Sequence, residues 1–330
     1  MEDGIMLPIS PTTNFQPQSS GSGAGIIVIE DWSERPSSEA DGTLMHLNHP
    51  NPLLNSFWKY DETHGWLCMT DIDLHNIVPK RLIRALLDPS DKSAIGKASS
   101  SPSETSNSWG NFYTGGADVH TNGEMIERQN NNSNSSIPKL RVGLNKYEIH
   151  TLNGVDSATR MQFINYPNFG FDYPGATMIF WGGVRDPGGS NPPFVFQELF
   201  GSNNMFRVRA FRDNLVYNMN YQFRKQTSDS LFTIQQDGRE WDNLYEDYYI
   251  YDGDTGKINA SLDGEEFEED YPSPGPLTTT TGNARIIFGG DNTTNRAGAY
   301  YRFFMSCYTP LSVEQISMIM GIVKGRWYLS

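Results

Sequence analysis

Acidic side chains at alternate positions are the first pattern in this sequence that could do chemistry. Glu266 and Glu268 lie in the run "DGEEFEEDY". A glycoside hydrolase needs two carboxyl groups about 5 to 10 Å apart. This run lacks the apolar neighbours and the aspartate-centred spacing of such an enzyme, so it favours a solvated acidic loop. The six histidines stand in polar or turn contexts, and no glycine-flanked serine of the hydrolase kind accompanies them. We therefore expect no enzyme activity.

A second acidic pattern has the residue types of a metal site. In "YDGDTG", Asp252 and Asp254 precede Gly256. Hard cations favour such clusters of oxygen atoms, although the full EF-hand loop is absent. The same residues are also typical of a tight hairpin turn. The sequence therefore leaves two interpretations, a turn or a Ca²⁺ site, and Ca²⁺ is the one cofactor it suggests.

Two further groups of residues could contact a sugar. The run "GGDNTTN" contains Asp291, Asn292 and Asn295, which could line a sugar or metal site or form a plain polar loop. Tyr245 and Tyr248 belong to a tyrosine-rich run and could stack on sugar rings. At alternate spacing, part of that run should instead lie in a core. We expect any ligand contacts to come from polar loops at one rim of the fold.

The elements that must position these residues are mostly strands. Beyond position 140, short runs of β-branched and aromatic residues alternate with turns rich in Gly, Pro, Asn and Asp. Examples are "ATMIFWGGV", "MFRVRAFRDNLVYNM", "DYYIYD" and "AYYRFFMSCY". This spacing predicts a β-sandwich rather than a parallel α/β sheet.

Two segments have helix signals. In "PKRLIRALLD", Pro79 suits the first turn and Pro89 follows the end. In "LSVEQISMIMG", Ser312 and Gln315 have the capping-box spacing, and Gly321 could end the helix.

Composition limits the classes of partner. The chain has 330 residues, and its formal net charge of -14 predicts repulsion from nucleic acid and from anionic membrane surfaces. The two cysteines, Cys68 and Cys307, lie in aromatic-rich runs and favour buried thiols over a disulfide. No apolar run approaches about 18 residues, and the first residues lack a cationic segment followed by an apolar one. We expect synthesis in a cytoplasm and no membrane insertion.

The chain divides into four segments by composition. Residues 1–25 are rich in Pro, Ser, Gly and Gln and should form a flexible attachment arm. Residues 26–88 should form an attachment module of a β-hairpin plus a helix. Residues 89–139 are a polar tract typical of a linker, and residues 140–330 carry the predicted sandwich.

The carboxy-terminal half resembles the concanavalin A-like, laminin-G-like jelly rolls of lectins and adhesion proteins. The resemblance rests on "TMIFWGGVRDP", "YYIYDGDTGKINASLDGE", "RIIFGG" and the helix start "PLSVEQI", in that order. It implies a mainly β fold with a jelly-roll sandwich, a small amino-terminal hairpin module and one short helix. The same sandwich carries lectins, hydrolases, adhesins and spacers, so it leaves the activity open.

The amino-terminal run "DGTLMHLNHPNPLLNSFWKYDETHGWLCMT" resembles a hairpin of bacteriophage tail fibres and other virion appendages. An aromatic strand with Phe57, Trp58 and Tyr60 is followed by a glycine and Trp66, although "MHLNHP" replaces a more typical tyrosine-asparagine run. A lone hairpin is marginal in water, so three copies around an axis could bury these aromatic faces together. The resemblance implies a homo-oligomer, most simply a trimer, held by these four residues.

Together the two resemblances imply a structural protein of a bacteriophage virion, made in the host cytoplasm. Its amino-terminal half would attach to other virion proteins, and its sandwich would bind host-surface glycan. The alternatives are a head or tail decoration protein without specific receptor binding, a glycan-active enzyme, or a cellular adhesin on the same fold.

Overall fold

The computed structural model describes residues 25–79, 82–88, 108–110, 124–127, 139–143, 146–151, 161–169, 172–185, 194–200, 203–213, 216–226, 229–278, 281–288 and 298–329. Almost all regular structure in these residues is β-strand, which confirms the mainly β fold class. The strands form a small amino-terminal sheet and two large sheets stacked as a sandwich.

The amino-terminal sheet has the order β1-β2-β3-β4. Its strands are β1 (Ile27–Ile29), β2 (Leu44–Leu47), β3 (Ser56–Asp61) and β4 (Gly65–Cys68). Strands β2, β3 and β4 pair antiparallel, as the hairpin pattern predicts, and β1 joins β2 in parallel. Short 3-10 turns at Trp32–Glu34, Pro52–Leu54 and Leu74–Asn76 connect or follow these strands.

One large sheet, here called the front sheet, has the order β16-β15-β14-β13-β21-β10-β7-β6. Its strands are β6 (Ser108–Gly110), β7 (Glu124–Glu127), β10 (Met161–Phe169), β13 (Phe194–Phe200), β14 (Asn203–Asp213), β15 (Val216–Phe223), β16 (Phe232–Glu240) and β21 (Thr281–Phe288).

The other large sheet, the back sheet, has the order β19-β18-β17-β12-β22-β9-β8, with β5 also paired to β22. Its strands are β5 (Ile83–Leu87), β8 (Lys139–Gly143), β9 (Lys146–Thr151), β12 (Gly175–Arg185), β17 (Tyr245–Asp252), β18 (Lys257–Leu262), β19 (Glu265–Asp270) and β22 (Gly298–Cys307). The short strands β11 (Asp172–Tyr173) and β20 (Leu277–Thr278) pair with each other. Strands distant in sequence, such as β12 and β22, lie side by side and antiparallel, which gives a jelly-roll sandwich.

Strand β12 is buried on both faces, which explains its nearly continuous apolar sequence. Met178 and Phe180 point into the core between the two large sheets. Ile179 and Trp181 point the other way, into a second core formed with the amino-terminal sheet and the carboxy-terminal helix. The amino-terminal module therefore packs directly on the outer face of the back sheet.

The helix α1 (Val313–Tyr328) begins at the predicted cap, where Ser312 accepts a hydrogen bond from the Gln315 amide and the Gln315 side chain accepts one from the Ser312 amide. The predicted end at Gly321 is wrong, because the helix continues for two more turns. A β-carbon at Gly321 would lie 2.6 Å from the Trp58 ring, so this glycine permits close packing of helix on sheet. Gly325 likewise permits close packing of the helix on the backbone of Cys68.

The helix predicted in the segment 79–88 is also wrong, because residues 83 to 87 form strand β5. This strand pairs antiparallel with the end of β22, with Met305 opposite Leu86. Ile83 and Leu86 are buried in the second core. Backbone pairing with β22 and burial of these side chains outweigh the weak local preference for helix.

Candidate functional site

The outer face of the front sheet carries a row of polar side chains on β14. Alternation along this strand places Phe206, Val208 and Ala210 in the core. Arg207 and Arg209 therefore lie on the opposite face, and both are partly buried. Phe211 continues this row toward the end of the strand.

The two neighbouring strands extend the row with amide side chains. On β15, Asn220 lies opposite Arg209, and Gln222 lies opposite Arg207. On β16, Gln235 lies opposite Asn220. We call this surface the arginine–amide face, and it comprises Arg207, Arg209, Phe211, Asn218, Asn220, Gln222, Thr233 and Gln235.

A chain of hydrogen bonds fixes one end of the arginine–amide face. The Nε of Arg207 donates to Oε1 of Gln222. The amide Nε2 of Gln222 in turn donates to Oγ1 of Thr233 at 3.0 Å. Three adjacent strands thus hold the Arg207 side chain in place, which lowers the entropic cost of using it to bind a ligand.

Asn220 has an unsatisfied acceptor at the centre of the face. The residue is 8% exposed, and its Oδ1 is buried without a hydrogen-bond donor in the part of the chain that the structure describes. Leaving a buried acceptor unpaired costs about 1–3 kcal/mol. An unpaired buried acceptor in a native fold needs an explanation. One explanation is that a ligand hydroxyl donates a hydrogen bond to it.

An aromatic ring lies beside these polar groups. Phe211 is partly exposed, and the Arg209 guanidinium carbon lies 4.7 Å from its ring centroid. A cation over a ring at this distance is attracted by the electrons of the ring face. The contact fixes the Arg209 side chain and places an apolar surface next to the amides.

Three arginines lie close together on and just beyond the arginine–amide face, in a chain of net charge -14. Burial lowers the pKa of Arg207 to about 10, and the nearby charges of Arg209 and Arg224 add to this effect. Burial also lowers the pKa of Arg224, which follows directly after β15.

A buried ion pair beneath the face joins the two large sheets. Arg239 on β16 donates two hydrogen bonds to the Asp247 carboxylate on β17, at 2.7 and 2.6 Å. The Tyr221 hydroxyl on β15 and the Asp263 amide, the latter at 2.9 Å, donate to the same carboxylate. Burial alone would lower the pKa of Arg239, but the Asp247 charge raises it above its usual value. The network holds β15 and β16 in register with the back sheet.

The residues predicted to bind calcium form a turn in which the Asp252 carboxylate accepts hydrogen bonds from the residues that follow it. Asp252 Oδ1 accepts a hydrogen bond from the Asp254 amide at 3.0 Å, and Oδ2 accepts one from the Thr255 hydroxyl at 2.8 Å. Gly256 takes the left-handed conformation with φ of 73°. Across the described residues, no three His, Cys, Asp or Glu side chains group as metal ligands. This geometry is that of a side-chain-stabilised turn.

The two tyrosines predicted to stack on sugars lie on opposite faces of β17. Tyr245 is buried in the core between the sheets, and its hydroxyl accepts from the Glu240 amide at 2.8 Å. Its ring is therefore held by protein rather than presented to a ligand. Tyr248 is partly buried on the other face and donates to Glu266 at 3.0 Å. The predicted loop residues Asp291, Asn292 and Asn295 lie outside the described residues.

The aromatic residues predicted to hold a trimer have different environments. Trp58 is fully buried beneath α1, and Trp66 is buried with its Nε1 donating to the Pro36 carbonyl at 2.8 Å. Tyr60 is partly buried and packs edge-on against Trp66 at 5.3 Å. Phe57 alone of the four is exposed. The helix of the same chain packs on the Trp58 indole, and the Trp66 indole contacts Pro36 and Tyr60. Phe57 is the one of the four that is exposed, and the trimer stays a prediction.

The interpretation of the sequence missed the arginine–amide face. One signal for it was present, because "FRVRAFRD" places arginine at alternate positions in a chain with few basic residues. Alternation predicts that these arginines share one face of a strand. The pairing with Asn220 could not be predicted, since it depends on the register between β14 and β15.

No protein-family model and no curated protein matches the chain. Among solved structures, a heptameric pentraxin from Limulus polyphemus is similar at 11% identity and a TM-score of 0.40, covering 52% of this chain and 81% of the pentraxin. A botulinum neurotoxin DC binding domain, solved with rat synaptotagmin II, is similar at 11% identity and a TM-score of 0.43. The match covers 59% of this chain and 46% of the neurotoxin domain. The botulinum neurotoxin serotype D ligand-binding domain, solved with N-acetylneuraminic acid, is similar at 13% identity and a TM-score of 0.40. The match covers 59% of this chain and 49% of the neurotoxin domain.

The chain thus spans about half the length of these neurotoxin domains. Identities and TM-scores this low do not assign the chain to a family. Within the described residues, no helix is both long and apolar enough to span a membrane.

Proposed function

We propose that this protein is a structural component of a bacteriophage virion that binds host-surface glycan through the arginine–amide face, without acting on it chemically. The observation that carries the glycan assignment is the buried Oδ1 of Asn220, which has no hydrogen-bond donor among the described residues. A sugar hydroxyl is the kind of donor that this atom lacks, and the oxygen of that hydroxyl can itself accept from a neighbouring amide or guanidinium.

The remaining side chains of the face supply the other contacts that sugars use. Amides offer both donors and acceptors, and the ring of Phe211 offers an apolar surface for the C–H groups of a sugar. Three neighbouring strands span roughly 10 Å, which matches one or two sugar rings. The eight side chains of the face are guanidinium, amide, hydroxyl and phenyl groups, which hold a ligand without the carboxyl pair that glycoside hydrolysis requires.

A different surface supports attachment to other virion proteins. The outer face of the amino-terminal sheet presents Val28 and Phe57, which are 50% and 47% exposed. His46 lies between them in the strand register and stacks on Phe57 at 4.5 Å. Exposed apolar surface of this kind marks contact sites between proteins. The module thus offers virion proteins, or further copies of this chain, a surface far in sequence from the arginine–amide face.

Glycan binding is tested with Asn220→Ala on an array of bacterial surface oligosaccharides. The matched control is Asn259→Ala, because Asn259 is a partly buried amide on β18, on the outer face of the back sheet. We expect wild type and the control variant to bind the same oligosaccharides, and Asn220→Ala to lose about tenfold or more in affinity. Thermal unfolding of both variants verifies that the fold is retained.

Equal binding by Asn220→Ala and wild type would refute this use of the face. If wild type binds no oligosaccharide but still assembles into particles, the protein is a decoration protein instead. Virion attachment is tested separately with Phe57→Ser, which we expect to reduce incorporation into particles while leaving glycan affinity unchanged. Unchanged incorporation would contradict the attachment surface.

A further inference from the structure

The outer face of the amino-terminal sheet is apolar over two neighbouring rows of side chains. One row crosses the four strands as Val28, His46, Phe57 and Met69, and the next crosses them as Ile26, Leu44, Lys59 and Leu67. The exposed fractions of its large apolar residues are 38–55% for Ile26, Val28, Leu44, Phe57 and Met69. We infer that a second copy of this chain covers this face. The inference rests on the attachment role proposed for the module and adds the partner.

Strands β1 and β4 have the sequence of strands that are buried on both faces. Residues 26–29 read Ile-Ile-Val-Ile, and residues 66–69 read Trp-Leu-Cys-Met. A sheet with one face in water normally alternates apolar and polar residues, whereas strands covered on both faces are apolar almost throughout. Strand β12 has the second pattern and is buried on both faces. The second core lies on the inner face of the amino-terminal sheet, so β1 and β4 indicate a further layer on its outer face.

The apolar area of the face is sufficient for a specific interface between copies. Its large apolar residues, each about half exposed, together offer roughly 400 Å², and the largest patch on a monomer, often a functional one, covers about 300–600 Å². Interfaces are about 56–65% apolar, so a patch of this size corresponds to roughly 650 Å² of interface on each copy. Two such faces bury about 1,300 Å², which lies within the range of about 1,200–2,000 Å² for specific interfaces.

Charge favours a second copy as the occupant over a basic virion protein. The two rows contain no carboxylate, and Lys59, whose Cε atom lies near Gly42, is their one lysine or arginine. Two copies of a chain with a net charge of -14 repel each other, so they approach most easily through a face without carboxylates. A basic partner would find no opposite charge on this face. A rotation axis beside the face brings the same apolar residues of the copies together.

Association through this face leaves the arginine–amide face open. The amino-terminal sheet packs by its inner face on the outer face of the back sheet, whereas the arginine–amide face is the outer face of the front sheet. The two surfaces therefore lie on opposite sides of the layered fold. Copies joined on one side present separate glycan-binding faces on the other, which strengthens binding to a surface that carries many glycans.

Sedimentation velocity of the full chain over a range of micromolar concentrations tests the inference. We expect an oligomer, and Phe57→Ser should weaken association about tenfold or more, because aromatic residues near the centre of an interface contribute most to binding. Val28→Lys should also dissociate the oligomer, because it brings like charges together. The control is Val313→Ser, since Val313 is 48% exposed at the start of α1, outside the face, and should leave association unchanged. Thermal unfolding verifies the fold of each variant, and Val28→Lys decides if Phe57→Ser does not fold.

A wild-type chain that stays monomeric overturns the inference, and so does an oligomer that neither Phe57→Ser nor Val28→Lys dissociates. If the wild type is monomeric and Phe57→Ser still reduces incorporation into particles, the face binds another virion protein. The attachment role then stands without the second copy. If the face variants dissociate the oligomer but are incorporated like wild type, the second copy is supported and the attachment role fails.

Discussion

Replacing Asp247 with Asn should destabilise the protein strongly, because Asp247 is the hub of the buried network that joins the two large sheets. Its side chain is fully buried, and that of its partner Arg239 is 2% exposed. The carboxylate accepts hydrogen bonds from Arg239, from the Tyr221 hydroxyl and from the Asp263 amide. An asparagine would place an NH₂ group against one set of these donors and leave the Arg239 charge buried without a counter-ion.

The expected size of the effect follows from that charge. Removing one partner of a buried ion pair costs about 3–5 kcal/mol, because the remaining charge stays in a poorly polarisable interior. The free energy of unfolding of a typical domain is only about 5–15 kcal/mol. Urea unfolding followed by tryptophan fluorescence should therefore show a much lower midpoint for Asp247→Asn. The double variant Arg239→Met with Asp247→Leu should recover part of the loss, since it leaves no buried charge. Recovery should be incomplete, because the Tyr221 hydroxyl and the Asp263 amide lose their acceptor.

The control for this experiment is an exposed ion pair. Lys257 contacts Glu268 at 3.2 Å and Asp270 at 2.9 Å, with all three side chains well exposed. Lys257→Gln should leave the unfolding midpoint in urea nearly unchanged, because an ion pair between exposed side chains contributes little to stability. A loss below about 1 kcal/mol for Asp247→Asn, or a double variant less stable than either single variant, would refute the reasoning about the buried charge.

Three further outcomes are expected. Gly321→Ala should lower the free energy of unfolding by about 1–3 kcal/mol, because the new methyl group would lie 2.6 Å from the Trp58 ring. This cost should exceed the gain from the better helix propensity of alanine, so a variant that is more stable in urea would contradict the packing. Cys68 and Cys307 should resist alkylation at pH 8 in the native state, because burial raises the pKa of both thiols to about 12. Rapid labelling of either thiol, measured by mass spectrometry, would contradict this expectation. Ser312→Ala should cost about 1 kcal/mol through loss of the helix cap, and no change in the unfolding midpoint would mean that the cap is dispensable.

Alternation and capping signals predicted the parts of the fold that depend on local sequence. The β-sandwich, the hairpin β2–β3 and the start of α1 at Ser312 all follow from spacing within one segment. The prediction was wrong where distant segments decide the structure. Pairing with β22 turns residues 83 to 87 into a strand. Gly321 lies within the helix, where its lack of a side chain leaves room for the Trp58 ring.

Part of the candidate site could likewise be predicted from local sequence, and part depends on contacts between distant segments. That Arg207 and Arg209 share a strand face could be predicted from their spacing. That Asn220 lies beside them, with an acceptor left unpaired, depends on the register of β15 against β14 and on the packing around it. Asp252 and Asp254 show the converse. They have the right chemistry for a metal, but they form a turn in which the Asp252 carboxylate accepts hydrogen bonds from the Asp254 amide and the Thr255 hydroxyl.

A crystal structure of the full chain with a bound bacterial surface oligosaccharide would show whether the arginine–amide face binds glycan. We expect a sugar ring over Phe211 and a sugar hydroxyl within hydrogen-bond distance of Asn220 Oδ1. Sugar density at another surface, such as the Asp252 turn, with the arginine–amide face empty, would contradict it.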